Sequence, residues 1–197
     1  GMAANRGNRE ARKAELLRIS REVFAEKGFE ATTISEIVAR AGVAQGTFYW
    51  YFPSKASVLT TLAREMQERI ENALRRAYDE AHNLQEMIDR SVAETFQIMS
   101  EYRDILAIVH FNTCWTEHPA ERQHIFAPYY GLIAEIIRQE QQRGALNPTI
   151  NPEVTAILIV GTVYYAAEEC YIYNSPVSPE VFIAECSSFI RHALGIA

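Results

Sequence analysis

Residues that typically end or start helices divide the first 55 residues into segments that are too short to fold alone. Apolar residues recur at helical spacing over residues 11–27, and Gly28 then supplies a left-handed stop. Thr33 is followed three residues later by Glu36, the pattern of a capping box, which predicts the start of a second helix. Gly42 ends that helix after about two turns.

A third helix must fit within residues 43–52, because Pro53 and Ser54 begin a new element. Two helices of one to two turns, joined by a tight turn, form a helix-turn-helix. So short a pair cannot bury its own apolar side, and it needs the first helix and the start of a fourth as a cover. We therefore predict a helix-turn-helix domain over residues 1–53, with residues 54–62 as its lid.

The rest of the chain shows one helical pattern after another, broken at prolines and at one glycine. The predicted helices cover residues 54–81, 84–100, 102–116, 121–143, 152–174 and 179–194. No stretch alternates with period two for long. The predicted fold class is all-α with about nine helices in total: the N-terminal three-helix domain and a larger helical ligand-binding and dimerisation domain over residues 54–197.

Composition excludes several classes of protein. Hydrophobic residues make up 48% and charged residues 22% of the chain, which argues against disorder. The three cysteines include no CxxC pair, so neither a disulfide framework nor a zinc ribbon is expected. The longest apolar run, residues 154–167, is shorter than the roughly 18 residues that a bilayer requires. We expect a soluble, cytoplasmic protein without a membrane partner.

Charge is distributed unevenly along the chain. Residues 1–60 hold nine Lys or Arg against six acids, and residues 61–197 hold ten against nineteen. All three lysines lie in the first segment. A basic end on an acidic body indicates that the N-terminal end faces an anion.

The third helix carries different side chains on its two faces. Phe48 and Phe52 share one face and are expected to anchor the domain core, whereas amide, hydroxyl and aromatic groups fall largely on the other. Exposed aromatic groups are costly unless they meet a partner, and a DNA major groove is one that Gln, Thr and Tyr can read. Gly46 would permit close backbone approach, and Lys55 would form a phosphate site with the first amides of the next helix. The alternative is that the aromatics are simply core.

Residues 33–39, 41–43, 46–52 and 54–55, read as one connected string, resemble the signature of the TetR family of bacterial repressors. The resemblance covers about residues 12–62. It implies phosphate contacts from Thr33, Tyr49, Tyr51 and Lys55. It implies base or phosphate contacts from Gln45, Thr47 and Trp50. The position before Gln45 is commonly Ser in the family, and Ala44 here removes a helix cap and a phosphate ligand.

Dimerisation is required if this module is to bind tightly. A single module binds duplex only weakly, whereas two modules about one helical turn apart read a pseudo-palindrome with added free energies. The two C-terminal helices carry more apolar surface than a monomer core needs, which predicts a homodimer through a four-helix interface. The residues assigned to it are Val154, Leu158, Gly161, Tyr165, Ile183, Phe189 and Ile190. The alternative is that these stripes serve the monomer core.

Residues 96–173 are rich in aromatic side chains with polar groups between them, the general form of a small-molecule site. In the family that the chain resembles, this region houses an effector pocket. The candidate lining residues are Phe96, His110, Phe111, Trp115, Phe126, Tyr130, Tyr164 and Glu168. An inward Glu168 favours a cationic or aromatic ligand; alternatively, Glu168 lies at a solvated or interface turn.

His110, Cys114 and His118 are spaced by four, which suits zinc on one helix face. Pro119 follows at once, however, and buried structural Cys and His are commoner, so we predict no metal and no cofactor.

No Gly-rich phosphate loop, GxSxG, HExxH or paired-carboxylate motif is present, so an enzyme is not expected. We predict a ligand-responsive transcriptional regulator, a repressor released from a double-stranded DNA operator by a small-molecule effector. The sign of the ligand's effect cannot be read from the sequence, so an activator stays open. The alternative functions are a helical protein-binding adaptor and an enzyme that uses Cys114.

Overall fold

The computed structural model of the chain describes residues 1–111 and 119–197. Nine helices and no strand occur within these residues, so the predicted all-α fold class is confirmed. The helices are α1 (Met2–Lys27), α2 (Ile34–Ala41), α3 (Gln45–Tyr51), α4 (Lys55–Glu80), α5 (Leu84–Glu101), α6 (Arg103–Phe111), α7 (Pro119–Gln142), α8 (Pro152–Tyr171) and α9 (Pro179–Ala193). None of them is long and apolar enough to cross a membrane.

Local signals define the boundaries of α2. The Thr33 hydroxyl accepts a hydrogen bond from the backbone N–H of Glu36 at 3.2 Å, and the Glu36 carboxylate accepts one from the Thr33 N–H. Gly42 ends the helix in the left-handed conformation, with φ of 69°, which side chains disfavour. The capping box and the glycine stop predicted from the sequence are both confirmed.

The N-terminal three helices share one core with the start of α4. Phe48 and Phe52 are fully buried, with ring centroids 5.7 Å apart, against apolar residues of α1 such as Val23 and Phe24. Val58 and Leu59 of α4 close the same cluster. The prediction that Phe48 and Phe52 anchor this core is confirmed.

One helix start differs clearly from the prediction, because α1 begins at Met2 instead of residue 11. Residues 2–10 are all exposed and carry no apolar periodicity, which is the signal that the sequence reading used. They are, however, mostly good helix formers such as Ala3, Ala4 and Arg9, and extending a helix that packing has already nucleated costs little. The extension places Asn8 and Arg9 next to α3.

The C-terminal bundle is organised around α4, which packs against α5, α6 and α7. Ser54 caps α4, and its side chain and that of Ser57 each accept from the other's backbone N–H. Helix α8 packs on α7 and α9, and α9 also packs on α5. The predicted segments agree with the observed helices to within three residues at each end that the structure describes, while residues 112–116 of the predicted 102–116 helix lie outside the described part.

An ion pair joins the N-terminal helices to the bundle. Arg21 of α1 donates from Nε and Nη2 to both carboxylate oxygens of Asp104 on α6, each at 2.8 Å. The same Nη2 donates to the carbonyl of Glu101 at 2.7 Å, and the guanidinium lies 4.7 Å from the centre of the Tyr102 ring. This bidentate, half-buried contact fixes α6 against α1.

Candidate functional site

Helix α3 presents an outward face on which two large aromatic side chains are exposed. Trp50 is 72% exposed and Tyr49 is 49% exposed, although both belong to residue types usually found at least half buried. Thr47 and Tyr51 are half-buried. We call this face the α3 surface; its residues are Gln45, Gly46, Thr47, Tyr49, Trp50 and Tyr51.

An open hollow of about 460 Å³ lies between the α3 surface and the start of α1. Asn8, Arg9 and Arg12 line it from α1, opposite Thr47 and Trp50 of α3. Neither arginine forms an ion pair with a carboxylate in residues 1–111 or 119–197. The sequence analysis did not identify Arg9 and Arg12 as a pair because the predicted first helix begins at residue 11. Arginines three residues apart share one helix face, and this spacing is the signal that could have identified them.

Most other cations of the N-terminal helices already have carboxylate partners. Arg18 pairs with Glu15 and Glu22, Arg40 pairs with Glu26, and Lys27 pairs with Glu36. The unpaired positive charge therefore concentrates on the first half of α1, next to the α3 surface. Such a local excess attracts a polyanion even though the whole chain has a net charge of -6.

Lys55 is placed differently from the prediction of a phosphate site. Its ammonium donates to the backbone carbonyls of Phe29, Glu30 and Thr32 at 2.6, 3.2 and 3.1 Å. An ammonium has three donors, so this geometry uses all of them to hold the loop between α1 and α2. A phosphate contact from Lys55 is incompatible with this arrangement; sequence spacing could not show the carbonyls, which come from 23 to 26 residues away.

Thr33 and Ala44 lie at the starts of α2 and α3. Thr33 is exposed, and its hydroxyl oxygen caps α2, which leaves the hydroxyl hydrogen available to a phosphate oxygen. Ala44 precedes α3 and gives it no side-chain cap. The amides of the first turn of α3 therefore lack the hydroxyl partner that a Ser at this position supplies.

A cavity of about 290 Å³ lies among α4, α6, α7 and α8. Of the predicted lining residues, the described part of the chain places four here: His110, Phe126, Tyr164 and Glu168. The sequence reading missed the other described lining residues, which are Ala63, Met66, Gln67, Ile105, Leu106, Val109 and Arg122. We call this space the α4–α8 cavity.

The remaining predicted lining residues lie elsewhere. Phe96 is fully buried in the packed core, with its ring 6.1 Å from that of Tyr171, because it faces α4 and α8 from the inner side of α5. Phe111 is 66% exposed at the end of the described part of α6. Tyr130 stacks on Phe126 at 6.2 Å but does not line the cavity. Trp115 lies outside the described residues.

Glu168 faces the cavity but is not a free carboxylate. Its Oε2 lies 2.8 Å from Nδ1 of His110, and Nε2 of the same ring lies 2.6 Å from the hydroxyl of Tyr173. The His110 ring already supplies a polar partner to the carboxylate. The predicted inward position of Glu168 is confirmed, but a cationic ligand would have to share the carboxylate with His110.

A second exposed apolar surface is formed by α8 and α9. Val154, Leu158 and Tyr165 are exposed along α8, with Gly161 between them, and Phe189 is exposed on α9. Ile157 and Val181, which the prediction did not include, are exposed as well. We call this set the α8–α9 surface.

Two residues assigned to the predicted dimer interface point inward instead. Ile190 is buried and lines a narrow apolar cavity of about 70 Å³ in the core, and Ile183 is half-buried against the core cluster. Neighbouring positions on a helix face directions about 100° apart, and on α9 this turns Ile190 into the core while Phe189 faces outward.

The described part of the chain contains no group of three or more His, Cys, Asp or Glu residues arranged to hold a metal ion. Two members of the His110, Cys114 and His118 set, namely Cys114 and His118, lie outside that part. The two cysteines within it, Cys170 and Cys186, are free and buried, and burial raises the thiol pKa of Cys186 to about 11. Neither thiol has the low pKa of a nucleophile.

The fold and the α3 surface together define a helix-turn-helix DNA-binding protein. Residues 16–62 match the family model described as bacterial regulatory proteins, tetR family. Residues 84–194 match the model of the tetracyclin repressor-like C-terminal domain. The chain belongs to the TetR family of bacterial regulatory proteins; it is a transcriptional regulator and not an enzyme.

Relatives and solved structures agree with this assignment. The chain is 30% identical over 185 residues to the uncharacterized HTH-type transcriptional regulator YvdT of Bacillus subtilis (strain 168), covering 93% of this chain and 95% of that protein. A putative TetR-family regulator from Syntrophomonas wolfei is similar in structure, with a TM-score of 0.81, 18% identity, and coverage of 94% and 96%. The transcriptional regulator FadR from Bacillus subtilis, in complex with stearoyl-CoA, has a TM-score of 0.76, 19% identity, and coverage of 93% and 99%.

Proposed function

We propose that this chain is a repressor that binds a pseudo-palindromic DNA operator as a homodimer and is released by a small-molecule effector. Residues 1–53, covered by residues 54–62, form the DNA-binding domain, and residues 54–197 bind the effector and the second copy. The observation that carries the proposal is the α3 surface, exposed and flanked by the unpaired Arg9 and Arg12. As a DNA-binding regulator, the protein acts in the cytoplasm.

The groups of the α3 surface suit a major groove. Gln45 offers an amide for an adenine edge, Thr47 offers a hydroxyl and a methyl group, and Gly46 keeps the backbone close to the bases. Tyr49, Tyr51 and Trp50 offer polar tips to phosphates along the groove wall, as does Thr33 at the start of α2. Lys55 contributes indirectly, because it holds the loop that positions α2.

Dimerisation through the α8–α9 surface supports this function physically. An apolar face of this kind, exposed in one chain, is stabilised when a second copy covers it. Two linked domains then read two half-sites about 34–36 Å apart, or multiples of that spacing, and their binding free energies add. Two domains that each bind DNA weakly therefore bind the operator tightly when a dimer joins them.

The α4–α8 cavity is the proposed effector site, since helix α6 contributes to both its wall and the contact with α1. Ile105, Leu106 and Val109 of α6 line the cavity, and Asp104 of the same helix binds Arg21 of α1. A ligand that favours a shifted α6 therefore also shifts the DNA-binding domain. FadR from Bacillus subtilis, which shares the fold, is itself in complex with a small organic ligand, stearoyl-CoA.

Binding to duplex DNA tests the proposal. The duplex is the region upstream of the chain's own gene, cut into overlapping fragments and titrated between 50 and 200 mM salt, the range over which about six to ten phosphate contacts weaken binding by roughly 10³ to 10⁵. We expect one fragment to bind far more tightly than the rest, with affinity falling steeply as salt rises. Absent binding to every fragment, even at the lowest salt concentration, would instead support a protein-binding adaptor.

A further inference from the structure

The α4–α8 cavity contains polar groups that lack partners. Gln67 on α4 is 1% exposed, and neither its side-chain nitrogen nor its side-chain oxygen has a hydrogen-bond partner among residues 1–111 and 119–197. The hydroxyl of Tyr164 on α8 is also buried without a partner in the described part of the chain, and burial raises its pKa well above the ordinary value, so it stays neutral. Buried polar groups are nearly always paired in native proteins, so two orphans on one cavity wall indicate a missing partner.

The donor and acceptor pattern of Gln67 selects among ligand head groups. A carboxamide has an N–H₂ donor and a C=O acceptor side by side. A carboxylate offers only acceptors, so it leaves the Gln67 oxygen unpaired; an ammonium offers only donors, so it leaves the Gln67 nitrogen unpaired. A primary amide, a lactam or a cyclic imide satisfies both atoms at once.

The charged groups that line the cavity in the described part of the chain already have contacts of their own. The Glu168 carboxylate is bound to His110, which in turn contacts Tyr173. The Arg122 guanidinium lies 5.0 Å from the centre of the Phe126 ring, and it repels cations. A carboxylate ligand that reached Arg122 would still fail to pair with the Gln67 oxygen.

We propose that the α4–α8 cavity binds a small uncharged ligand whose head group presents a donor and an acceptor side by side, as amides, lactams and imides do. Its apolar part packs against Met66, Ile105 and Phe126. The volume of about 290 Å³ lies at the lower end of the range for ligand sites, which suits a ligand of about one ring and excludes a whole CoA thioester. The inference rests on the proposed function, because this ligand would be the effector that releases the repressor.

The first test needs no ligand. The substitution Gln67→Met keeps the side-chain length and removes both orphan atoms, so we expect the Tm of the ligand-free protein to rise by about 2–10 °C. Gln85→Met is the matched control, because Gln85 is exposed at the start of α5 and its substitution should leave Tm unchanged. A fall in Tm for Gln67→Met would show that the Gln67 amide is a structural group, and it would overturn the proposal.

The second test uses probes that share a skeleton and differ in the head group. Calorimetry measures binding of the probes to the full chain without DNA. The first set is phenylacetamide, phenylacetate and phenethylammonium. Two further sets carry the same amide, carboxylate and ammonium head groups on hexanoyl and cyclohexylacetyl skeletons. We expect the amide of a skeleton to bind at least about tenfold more tightly than its charged counterparts, and Gln67→Met to remove that preference. Tyr164→Phe should weaken amide binding while the fold stays intact.

Three results would overturn the proposal: charged probes that equal the amides, an amide preference that survives Gln67→Met, or binding of stearoyl-CoA with no amide binding in the millimolar range. Because calorimetry is done without DNA, each of these results leaves the DNA-binding function standing. Loss of that function would be seen separately, as absent binding to every duplex fragment.

Discussion

The α3 surface and the α8–α9 surface both expose large apolar side chains, but they differ in what surrounds them. Trp50 on α3 is 72% exposed, next to amide and hydroxyl groups and to the unpaired Arg9 and Arg12. Leu158 on α8 is 63% exposed, and α8 contains no Lys or Arg at all. Exposure alone therefore does not identify a partner; the neighbouring charges and hydrogen-bonding groups do.

The difference explains how one chain can hold two proposed interfaces that bind different partners. A polyanion is attracted to the cationic edge of the α3 surface and gains nothing on the α8–α9 surface. In the proposed dimer, a second copy of the chain would cover the apolar α8–α9 surface, where no Lys or Arg of α8 would face its counterpart. The only Arg of α9, Arg191, is held by Asp89 at 2.5 Å.

The largest expected effect comes from placing a charge on the α8–α9 surface. Leu158→Arg would bury an unpaired charge in the proposed interface, so we expect a monomer by light scattering at micromolar concentration. Operator affinity should then fall by about 10³-fold or more, to the level of non-specific binding. The matched control is Gln85→Arg, also on an exposed helical position, which should stay dimeric. If Leu158→Arg were still a dimer with full operator affinity, the α8–α9 surface would not be the dimer interface.

A smaller effect is expected on the α3 surface. Trp50→Ala should weaken operator binding by about 5- to 150-fold, which is the contribution of one good base or phosphate interaction. Because Trp50 is exposed, the substitution should leave the dimer and the Tm unchanged. Fluorescence anisotropy with a labelled duplex measures the affinity, and a thermal melt checks the fold. A lower Tm with unchanged affinity would mean that Trp50 is a packing residue.

The α3 surface could be predicted from the sequence because its signals are local. Each signal lies within a few residues of the element that it defines. The signals are the capping box at Thr33, the left-handed Gly42 and the inward side of the third helix at Phe48. The α4–α8 cavity could not be predicted in this way. Gln67 and Arg122 occupy positions that a polar residue normally directs to water, and only the packing of distant helices turns them inward.

The two phenylalanines of the predicted pocket show the same limit. The abundance of aromatic side chains in residues 96–173 marked Phe96 and Phe111 as pocket residues, but composition could not distinguish a packed core from a cavity wall or from a helix end. Phe96 lies in the core and Phe111 is exposed. The start of α1 was also missed, because helix propensity without an apolar stripe is a weak signal.

A third, smaller effect distinguishes paired from unpaired arginines on α1. Arg12→Ala should weaken binding about equally for all duplex sequences, and it should reduce the slope of log affinity against log salt by about 1 for each phosphate that Arg12 neutralises. Arg18→Ala is the matched control, since Arg18 is held by Glu15 and Glu22 on the same helix. Equal salt slopes for the two variants would mean that the hollow lined by Arg12 does not bind phosphate.

The smallest expected effect restores the missing cap of α3. In Ala44→Ser, the new hydroxyl can accept from the backbone N–H of Thr47, which already donates to the Ala44 carbonyl at 3.0 Å. We expect a stability gain of about 1 kcal/mol, seen as a Tm rise of about 2–4 °C, and tighter operator binding through one added phosphate contact. Ala44→Val is the control, because valine adds bulk without a hydroxyl; an equal gain there would refute the capping explanation.

The central claim is that the α3 surface reads duplex DNA and that a dimer presents it twice. Selection of bound sequences from a random duplex pool, with the wild-type chain, tests it most directly. We expect enrichment of two inverted half-sites whose centres lie about 34–36 Å apart or a multiple of that distance. Enrichment of a single unpaired site, or of no sequence at all, would contradict the claim.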